Sequence, residues 1–217
     1  MSEAVVSAAR EEGFFDFHLY SFPGEITLDG NAVKQVSLVE SSKVSVARHY
    51  RFVNQAARYQ EVSDPDQSPQ HASVLLEFEN RRKNNIGIPL PGGRVRVLME
   101  DAEGIQQFVG EDRIGHIPVN SPVELQVGKA FDVTASRRQM SWTRLGDRSA
   151  EVSYTMVVKN ARRNRIEVTL DEKFQGDWVI TQQSEKGVRV DGSTQRYRLS
   201  LAGGEENTLS YSARIKF

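Results

Sequence analysis

Apolar and polar residues alternate one by one along several stretches of this chain. The alternation is clearest in Glu151–Lys159, Ile166–Asp171 and Thr208–Phe217, and it extends over most of Lys43–Val53. Successive side chains of a β-strand point to opposite faces, so each stretch predicts a strand with one buried and one solvated face. Several such strands separated by turns are typical of antiparallel β-sandwiches.

Shorter apolar runs predict further strands, and glycine-containing turns separate them. The predicted strands are Phe14–Tyr20, Val33–Val39, Ser73–Glu79, Arg94–Glu100, Val123–Val127, Phe131–Ser136, Trp178–Gln183 and Gln195–Leu201. Ser63–Gln70 carries two prolines and no periodicity, which predicts a long surface loop. Only the Ala-rich start, Met1–Glu12, favours a short helix or a frayed tail.

One sequence pattern occurs twice, 80 residues apart, in Phe78–Ile88 and Val158–Val168. In each stretch an alternating strand is followed by an Asn, a basic turn, a second Asn and another alternating strand. One hairpin of the same design in each of two modules would explain the echo, although Asn and Arg are common in hairpin turns generally. We therefore predict a module boundary near Gly128.

The predicted fold class is all-β, with two antiparallel β-sandwich-like modules packed together. Residues 1–13 would form an N-terminal tail or short helix, residues 14–127 a β-rich module and residues 128–217 a second sandwich module. The length of 217 residues suits two modules of about 100 residues each.

The amino-acid composition excludes several classes of function. The chain has no cysteine, which excludes disulfides, thiolate nucleophiles, cysteine zinc sites and iron–sulfur clusters. Its net charge of −1 means that nucleic-acid binding would need a local basic patch and is not expected. Four histidines without metal-ligand spacing predict no metal site, and the missing phosphate loop and nucleophile elbow predict no cofactor and no nucleotide chemistry.

The densest polar cluster lies in the glycine-flanked segment Phe108–Pro118. Glu111, Asp112, Arg113 and His116 fall within six residues, and such groups serve acid–base chemistry or bind a ligand. The structural alternative is a bulged turn in which the carboxylates satisfy loop amides and Arg113 pairs with one of them. Adjacent strand residues point apart, so Glu111 and Asp112 would form a catalytic pair only at a bend.

Two basic turns and one tryptophan are the other candidate contact residues. Arg81 and Arg82 lie in the first repeated turn, and Arg162 and Arg163 lie in the second. Together with Arg137 and Arg138 they would form a stripe for polyanions if both turns lie on one side, or they would simply be solvated charges. Trp142 lies in a polar stretch, which favours an exposed contact residue.

Four blocks of sequence carry a family resemblance, and they are Phe15–Tyr20, Lys34–Leu38, Phe108–Pro118 and Gly128–Thr134. With them the chain resembles, from about Phe14 to Phe217, the C-terminal domain of bacterial mucoidy-inhibitor-A-like proteins, a domain of unknown function. The part from Phe131 onward also resembles immunoglobulin-like modules of bacterial surface proteins. The resemblance supplies no catalytic residues.

Members of this family are longer, with a leader, an N-terminal β domain and a coiled coil. The resemblance therefore implies that the chain is a fragment of a periplasmic or cell-envelope protein, with coiled-coil-driven oligomers only in the longer parent.

We expect a non-enzymatic interaction or structural module with a protein or glycan partner. The alternatives are a carbohydrate-active or other hydrolase using the Glu111–His116 loop, and a polyanion-binding module using the arginine turns.

Overall fold

The computed structural model describes residues 10–22, 30, 33, 38–54 and 68–216. Regular secondary structure in these residues is β-strand, apart from one 3-10 turn at Arg82–Asn84. The all-β prediction is confirmed. No helix in the described part of the chain is long and apolar enough to cross a membrane.

The described residues form thirteen strands. They are β1 (Arg10–Phe14), β2 (Phe17–Ser21), β3 (Ala47–Asn54), β4 (Gln70–Glu79), β5 (Gly93–Glu100), β6 (Gln106–Ile114), β7 (Pro122–Gly146), β8 (Ser149–Asn160), β9 (Ile166–Lys173), β10 (Asp177–Gln183), β11 (Val188–Arg189), β12 (Thr194–Leu201) and β13 (Glu206–Lys216).

Nine of these strands form one sheet in the order β10-β13-β8-β7-β4-β3-β9-β12-β11, while β1-β2 and β5-β6 form two-stranded sheets. The pairs β7-β8, β8-β13, β13-β10, β9-β12 and β12-β11 are antiparallel. β3 runs parallel to β9, with Phe52 opposite Leu170. The large sheet is therefore mixed, with a parallel pair among the predicted antiparallel ones.

The core follows the alternation of the sequence. In β8, Val152, Tyr154, Met156 and Val158 are buried, and the residues between them are only partly covered. β12 and β13 alternate in the same way. One face of each strand is thus committed to the interior, as period-2 patterning requires.

The two ends of the large sheet pack face to face. Tyr197 of β12 stacks on Tyr211 of β13 with ring centroids 5.8 Å apart, although these strands are not hydrogen-bonded neighbours. Phe174, which follows β9, meets the Tyr211 ring edge-on at 6.1 Å. This packing is sandwich-like. The immunoglobulin-like topology stays a prediction.

The chain divides into two compact units, which we call unit 1 and unit 2. Unit 1 draws on Met1–Ala47, Glu77–Arg96 and Glu111–Leu125, and unit 2 on Arg48–Leu76, Val97–Gly110 and Gln126–Phe217. The last change of unit therefore falls between Leu125 and Gln126, inside β7. The predicted division at 127/128 stays a prediction, and Gly128 itself lies within this strand.

Several predicted elements differ in detail from the observed ones. The strand expected over Phe14–Tyr20 is a hairpin that turns at Phe15 and Asp16, and residues 10–13 belong to its first strand instead of a tail or helix. The strand expected from Lys43 begins only at Ala47, and the left-handed backbone of Lys43, with φ of 57°, excludes that residue from a strand.

Two further predictions fall partly on residues outside the described ranges. Within the strand expected over Val33–Val39, the described positions 33, 38 and 39 are irregular, and positions 34–37 are not described. Of the loop expected over Ser63–Gln70, residues 68 and 69 are irregular, Gln70 begins β4, and residues 63–67 are not described.

Candidate binding surfaces

The predicted polar loop at Glu111–His116 is a strand up to Ile114. Glu111 lies on β6, where its carboxylate accepts hydrogen bonds from Arg94 Nη1 at 3.0 Å and Arg96 Nε at 3.4 Å, both on β5. A shallow cavity of about 270 Å³ is lined by Arg94, Glu111, Asp112 and Arg113. The Glu111 carboxylate is therefore part of a cross-strand ion-pair cluster.

The neighbouring residues of this segment support the backbone. Asp112 Oδ1 accepts a hydrogen bond from the backbone N–H of Arg113 at 2.7 Å. His116 Nδ1 accepts one from the backbone N–H of Gly92 at 3.2 Å, so the ring proton of neutral His116 is on Nε2. Only the Asp112 contact matches the structural alternative, because Glu111 pairs with arginines of β5 instead of loop amides and the segment is a strand up to Ile114.

The first repeated turn is organised by Asn80, which is fully buried in unit 1. Its Nδ2 donates to the carbonyl oxygens of Ile88 at 2.7 Å and Pro118 at 3.0 Å. Its Oδ1 accepts from the backbone N–H of Gly87 at 3.0 Å. One amide side chain thus joins the turn after β4 to the segment after β6.

The second repeated turn is organised in the same way by Asn160, which is fully buried in unit 2. Its Nδ2 donates to the carbonyl oxygens of Asn164 at 2.9 Å and Ala202 at 2.8 Å, and its Oδ1 accepts from the backbone N–H of Arg162 at 3.1 Å. The sequence echo therefore corresponds to a shared hydrogen-bonding device.

The two turns are not hairpins. β8 is bonded to β7 and β13, whereas β9 is bonded to β3 and β12, so the second turn connects strands that are not neighbours in the sheet. After the first turn, β5 pairs with β6 and with no other strand of the described residues. Alternation on both sides of a turn predicts two strands but not that they pair with each other, which explains the incorrect hairpin prediction.

The arginines of the repeated turns belong to different units. In unit 1, Arg81 forms an ion pair with Glu79, and Arg82 lies exposed in the 3-10 turn. In unit 2, Arg162 lies 3.9 Å from Asp132 and over the Tyr50 ring, and Arg163 is exposed. A single stripe of the turn arginines stays a prediction, but Arg137, which was expected in the same stripe, is only 8% exposed and lies in the core of unit 2.

Trp142 is not the exposed residue that the polar sequence around it indicates. It lies opposite Val152 in the β7-β8 ladder and is packed, partly buried, against the core of unit 2. Its indole Nε1 is buried and has no hydrogen-bond partner among the described residues. Trp142 therefore contributes to packing, and a contact role would require its neighbours to move.

A charged network lies sealed in the core of unit 2, and sequence analysis did not predict it. The carboxylate of Glu172 accepts from Arg137 Nε at 3.1 Å, from Tyr211 Oη at 2.5 Å and from Asn54 Nδ2 at 2.5 Å. The Arg137 guanidinium also lies 3.6 Å from the centre of the Tyr154 ring. The side chains of Glu172 and Arg137 are only 1% and 8% exposed, so this network has no access to a substrate.

Burial perturbs the ionisable groups of this network. Desolvation and then the charge of Glu172 raise the pKa of Tyr211 well above 10.0. Desolvation opposes the charge on Arg137, but the Glu172 carboxylate, Tyr211 and Tyr154 together outweigh it, and the pKa of the guanidinium is raised. Arg137 and Glu172 therefore form a buried ion pair whose hydrogen-bonding groups are largely satisfied.

The β1-β2 hairpin of unit 1 exposes an aromatic tip. Phe14, Phe15 and Phe17 are 66%, 91% and 70% exposed. Phe15 holds a left-handed backbone with φ of 55°, a costly conformation for an aromatic residue. The hairpin is tied to its unit by Tyr20, whose hydroxyl donates to the Pro89 carbonyl oxygen at 2.8 Å.

The sequence indicates this turn, although the predicted strand over Phe14–Tyr20 did not include it. Phe14 and Phe15 are consecutive, which breaks the period of two, and Asp16 is a turn-forming residue. Two adjacent phenylalanines on a two-stranded ribbon cannot both face one covered side. We call Phe14, Phe15 and Phe17 the aromatic tip.

The described residues contain no group of three or more His, Cys, Asp or Glu side chains that could hold a metal ion. Comparison of the chain with protein-family models, with curated proteins and with solved structures finds no match.

Proposed function

We propose that this protein is a non-enzymatic interaction module that binds a partner protein through the aromatic tip of the β1-β2 hairpin. The observation that carries the proposal is the exposure of three phenylalanines at one turn. Burying one phenylalanine side chain contributes about 1.5–3 kcal/mol. A group of large aromatic side chains on a surface is a frequent anchor of protein interfaces.

The charge around the tip favours a protein over a lipid surface as the partner. The hairpin carries Arg10 against Glu11, Glu12 and Asp16, a net charge of −2 with His18 uncharged. Anionic membrane surfaces repel such a segment, and the carboxylates would be costly to bury in hydrocarbon. The fitting partner has an apolar pocket with a basic rim.

The sequence resemblance to the C-terminal domain of mucoidy-inhibitor-A-like proteins supports a role of this kind, because that resemblance supplies no catalytic residues. It also supports a periplasmic or cell-envelope location as part of the proposal. The ion pairing of Glu111 supports it further, because a carboxylate held by two arginines is poorly placed as a general acid or nucleophile.

Site-specific photo-crosslinking in cells tests the proposal. A photoreactive phenylalanine analogue at position 15 is expected to give a discrete protein adduct. The matched control carries the same analogue at Phe131, which is 86% exposed and belongs to unit 2. The adduct should be absent from the control and should be lost when Phe14 and Phe17 are replaced by serine.

Two outcomes would overturn the proposal. Crosslinking from position 15 only to lipid, or with the same products as from position 131, would remove the protein-binding role. Turnover of a glycan or peptide substrate by the purified chain, abolished by Glu111→Gln or Asp112→Asn, would show that the protein is an enzyme.

A further inference from the structure

A second surface, on unit 2, is complementary to the aromatic tip in both charge and apolar character. It is a shallow groove of about 290 Å³ beside the short strand β11, lined by Lys186, Val188, Val190, Arg196 and Arg198. We call it the β11 groove. Its volume is near the lower limit of ligand pockets, about 300 Å³, so it suits one or two side chains of a partner.

Strand register places Val188, Arg196 and Arg198 on one face, and Lys186 and Val190 flank β11 in the lining of the same groove. Tyr197 and Leu199 point into the core, so Arg196 and Arg198 on the same strand point outward. Val188 lies opposite Arg196 in the β11-β12 pair, which brings the two side chains to the same side. The valines remain open to solvent, with Val188 58% and Val190 47% exposed.

The cations of the β11 groove are only partly neutralised. Arg196 donates to both carboxylate oxygens of Asp171, at 2.6 and 2.7 Å. Lys186 and Arg198 form no ion pair or hydrogen bond with the described residues. Three cations and one carboxylate leave the groove with a net charge of +2 beside two exposed valines.

We propose that the β11 groove receives the β1-β2 hairpin of a second copy of this chain. This inference rests on the proposed function and names the partner of the aromatic tip. The hairpin presents three phenylalanines with a net charge of −2, and the groove presents exposed valines with a net charge of +2. Charge complementarity of this kind sets register and raises the association rate.

Such a contact is head to tail, because each copy uses a different surface for each of its two neighbours. Interfaces of this type close into rings or continue as open chains. The proposal therefore predicts association that rises with concentration, in closed rings of two or more copies or in open chains. It also predicts that one copy can be disabled on either surface independently.

Charge reversal with sedimentation velocity tests this directly on the purified full chain. We expect wild type to associate, and we expect Glu12→Lys with Asp16→Lys, or Lys186→Glu with Arg198→Glu, to weaken association about tenfold or more. Each variant alone then presents like charges on both surfaces. Mixing the two variants restores opposite charges, so the mixture should associate again.

The matched control for the groove variant is Lys83→Glu with Arg163→Glu, which makes the same change in net charge at two exposed turn positions. It should associate as wild type does. Raising the salt from about 0.05 to 0.5 M should weaken wild-type association, because exposed charges are then screened.

The outcomes separate this inference from the proposed function. A wild-type chain that stays monomeric at every concentration, while position 15 still crosslinks to a different protein, overturns the second-copy partner and leaves the interaction module standing. No protein adduct from position 15 overturns the interaction module itself. If the wild-type chain is monomeric and the Lys186→Glu, Arg198→Glu variant is retained less strongly on heparin, the groove binds polyanions instead of a second copy.

Discussion

At the scale of single residues, the two buried asparagines show how a polar side chain specifies a turn. Asn160 satisfies backbone groups of two separate turns, and the same device is built around Asn80. The repeated Asn positions could be recognised in the sequence. Their burial could not, because asparagine is usually exposed and the carbonyl acceptors come from segments distant in the chain.

Asn160→Ala is expected to lower the free energy of unfolding by about 2–3 kcal/mol, because it leaves buried backbone groups without partners. Urea unfolding followed by circular dichroism measures the change. Asn164→Ala is the matched control, since the Asn164 side chain is exposed and only its backbone carbonyl is used. Equal effects of the two substitutions would contradict the role given to Asn160.

The tyrosine in the sealed network predicts a loss of stability in alkali. The pKa of Tyr211 in the folded protein lies well above the unfolded value of 10.0, because burial and Glu172 disfavour the phenolate. The contribution of protonated Tyr211 to the free energy of unfolding is fully present below pH 10.0 and is lost as the pH rises through the pKa of the folded state. Above pH 10.0, the free energy of unfolding of Tyr211→Phe should therefore fall less steeply than that of wild type, by about 1.4 kcal/mol per pH unit.

Urea midpoints measured between about pH 8 and pH 12 would test this slope. At neutral pH, Tyr211→Phe also loses its hydrogen bond to Glu172, which shifts the whole curve without changing its slope. An unchanged slope above pH 10.0 would mean that Tyr211 ionises in the folded state as it does in the unfolded state.

At the scale of elements, alternation located strands well and strand partners poorly. It predicted β8, β9 and β13 and their buried faces, because period-2 burial is a local property of the chain. It did not predict the parallel β3-β9 pair, since parallel partners are brought together by long connections that leave no short-range signal. The candidate site was missed for a related reason, because the prediction placed one strand over Phe14–Tyr20 and a tail or short helix before it, where the structure has a hairpin.

Close approach of β6 to β7 gives a prediction at this scale. A Cβ added to the buried Gly110 would overlap the backbone of Val127, whereas one added to Gly115 has nothing within 4 Å. Gly110→Ala should therefore lower the free energy of unfolding by about 1–3 kcal/mol. Gly115→Ala should change it by less than about 0.5 kcal/mol.

Thermal and urea unfolding of the two glycine variants measure the difference. The comparison holds the chemical change constant and varies only the space available to one methyl group. If Gly110→Ala were as stable as Gly115→Ala, the approach of β6 to the β7 backbone would be looser than the structure shows.

At the scale of the whole molecule, the chain enters each compact unit three times. The sequence echo indicated two modules and placed a division close to the last change of unit. It could not show that Arg48–Leu76 and Val97–Gly110 also belong to unit 2. Composition and local pattern are similar in these segments, and their assignment depends on tertiary contacts alone.

Dividing the chain into the fragments 1–127 and 128–217 tests whether unit 2 needs the segments that precede residue 128. The fragment 128–217 contains β8 to β13 but lacks β3, the parallel partner of β9. It loses the buried side chains of Tyr50 and Phe52, each contributing about 1.5–3 kcal/mol, and the Asn54 donor to the buried Glu172. Those losses are comparable to the total stability of a typical domain, about 5–15 kcal/mol.

We therefore expect the fragment 128–217 to lack a cooperative urea transition on its own and to bind a hydrophobic dye. Addition of the fragment 1–127 should restore cooperative unfolding, because it supplies β3 and its core residues. If the fragment alone unfolded cooperatively at the midpoint of the full chain, β3 would be dispensable to unit 2. The contiguous module division at 127/128 would then describe the molecule better than interleaved units.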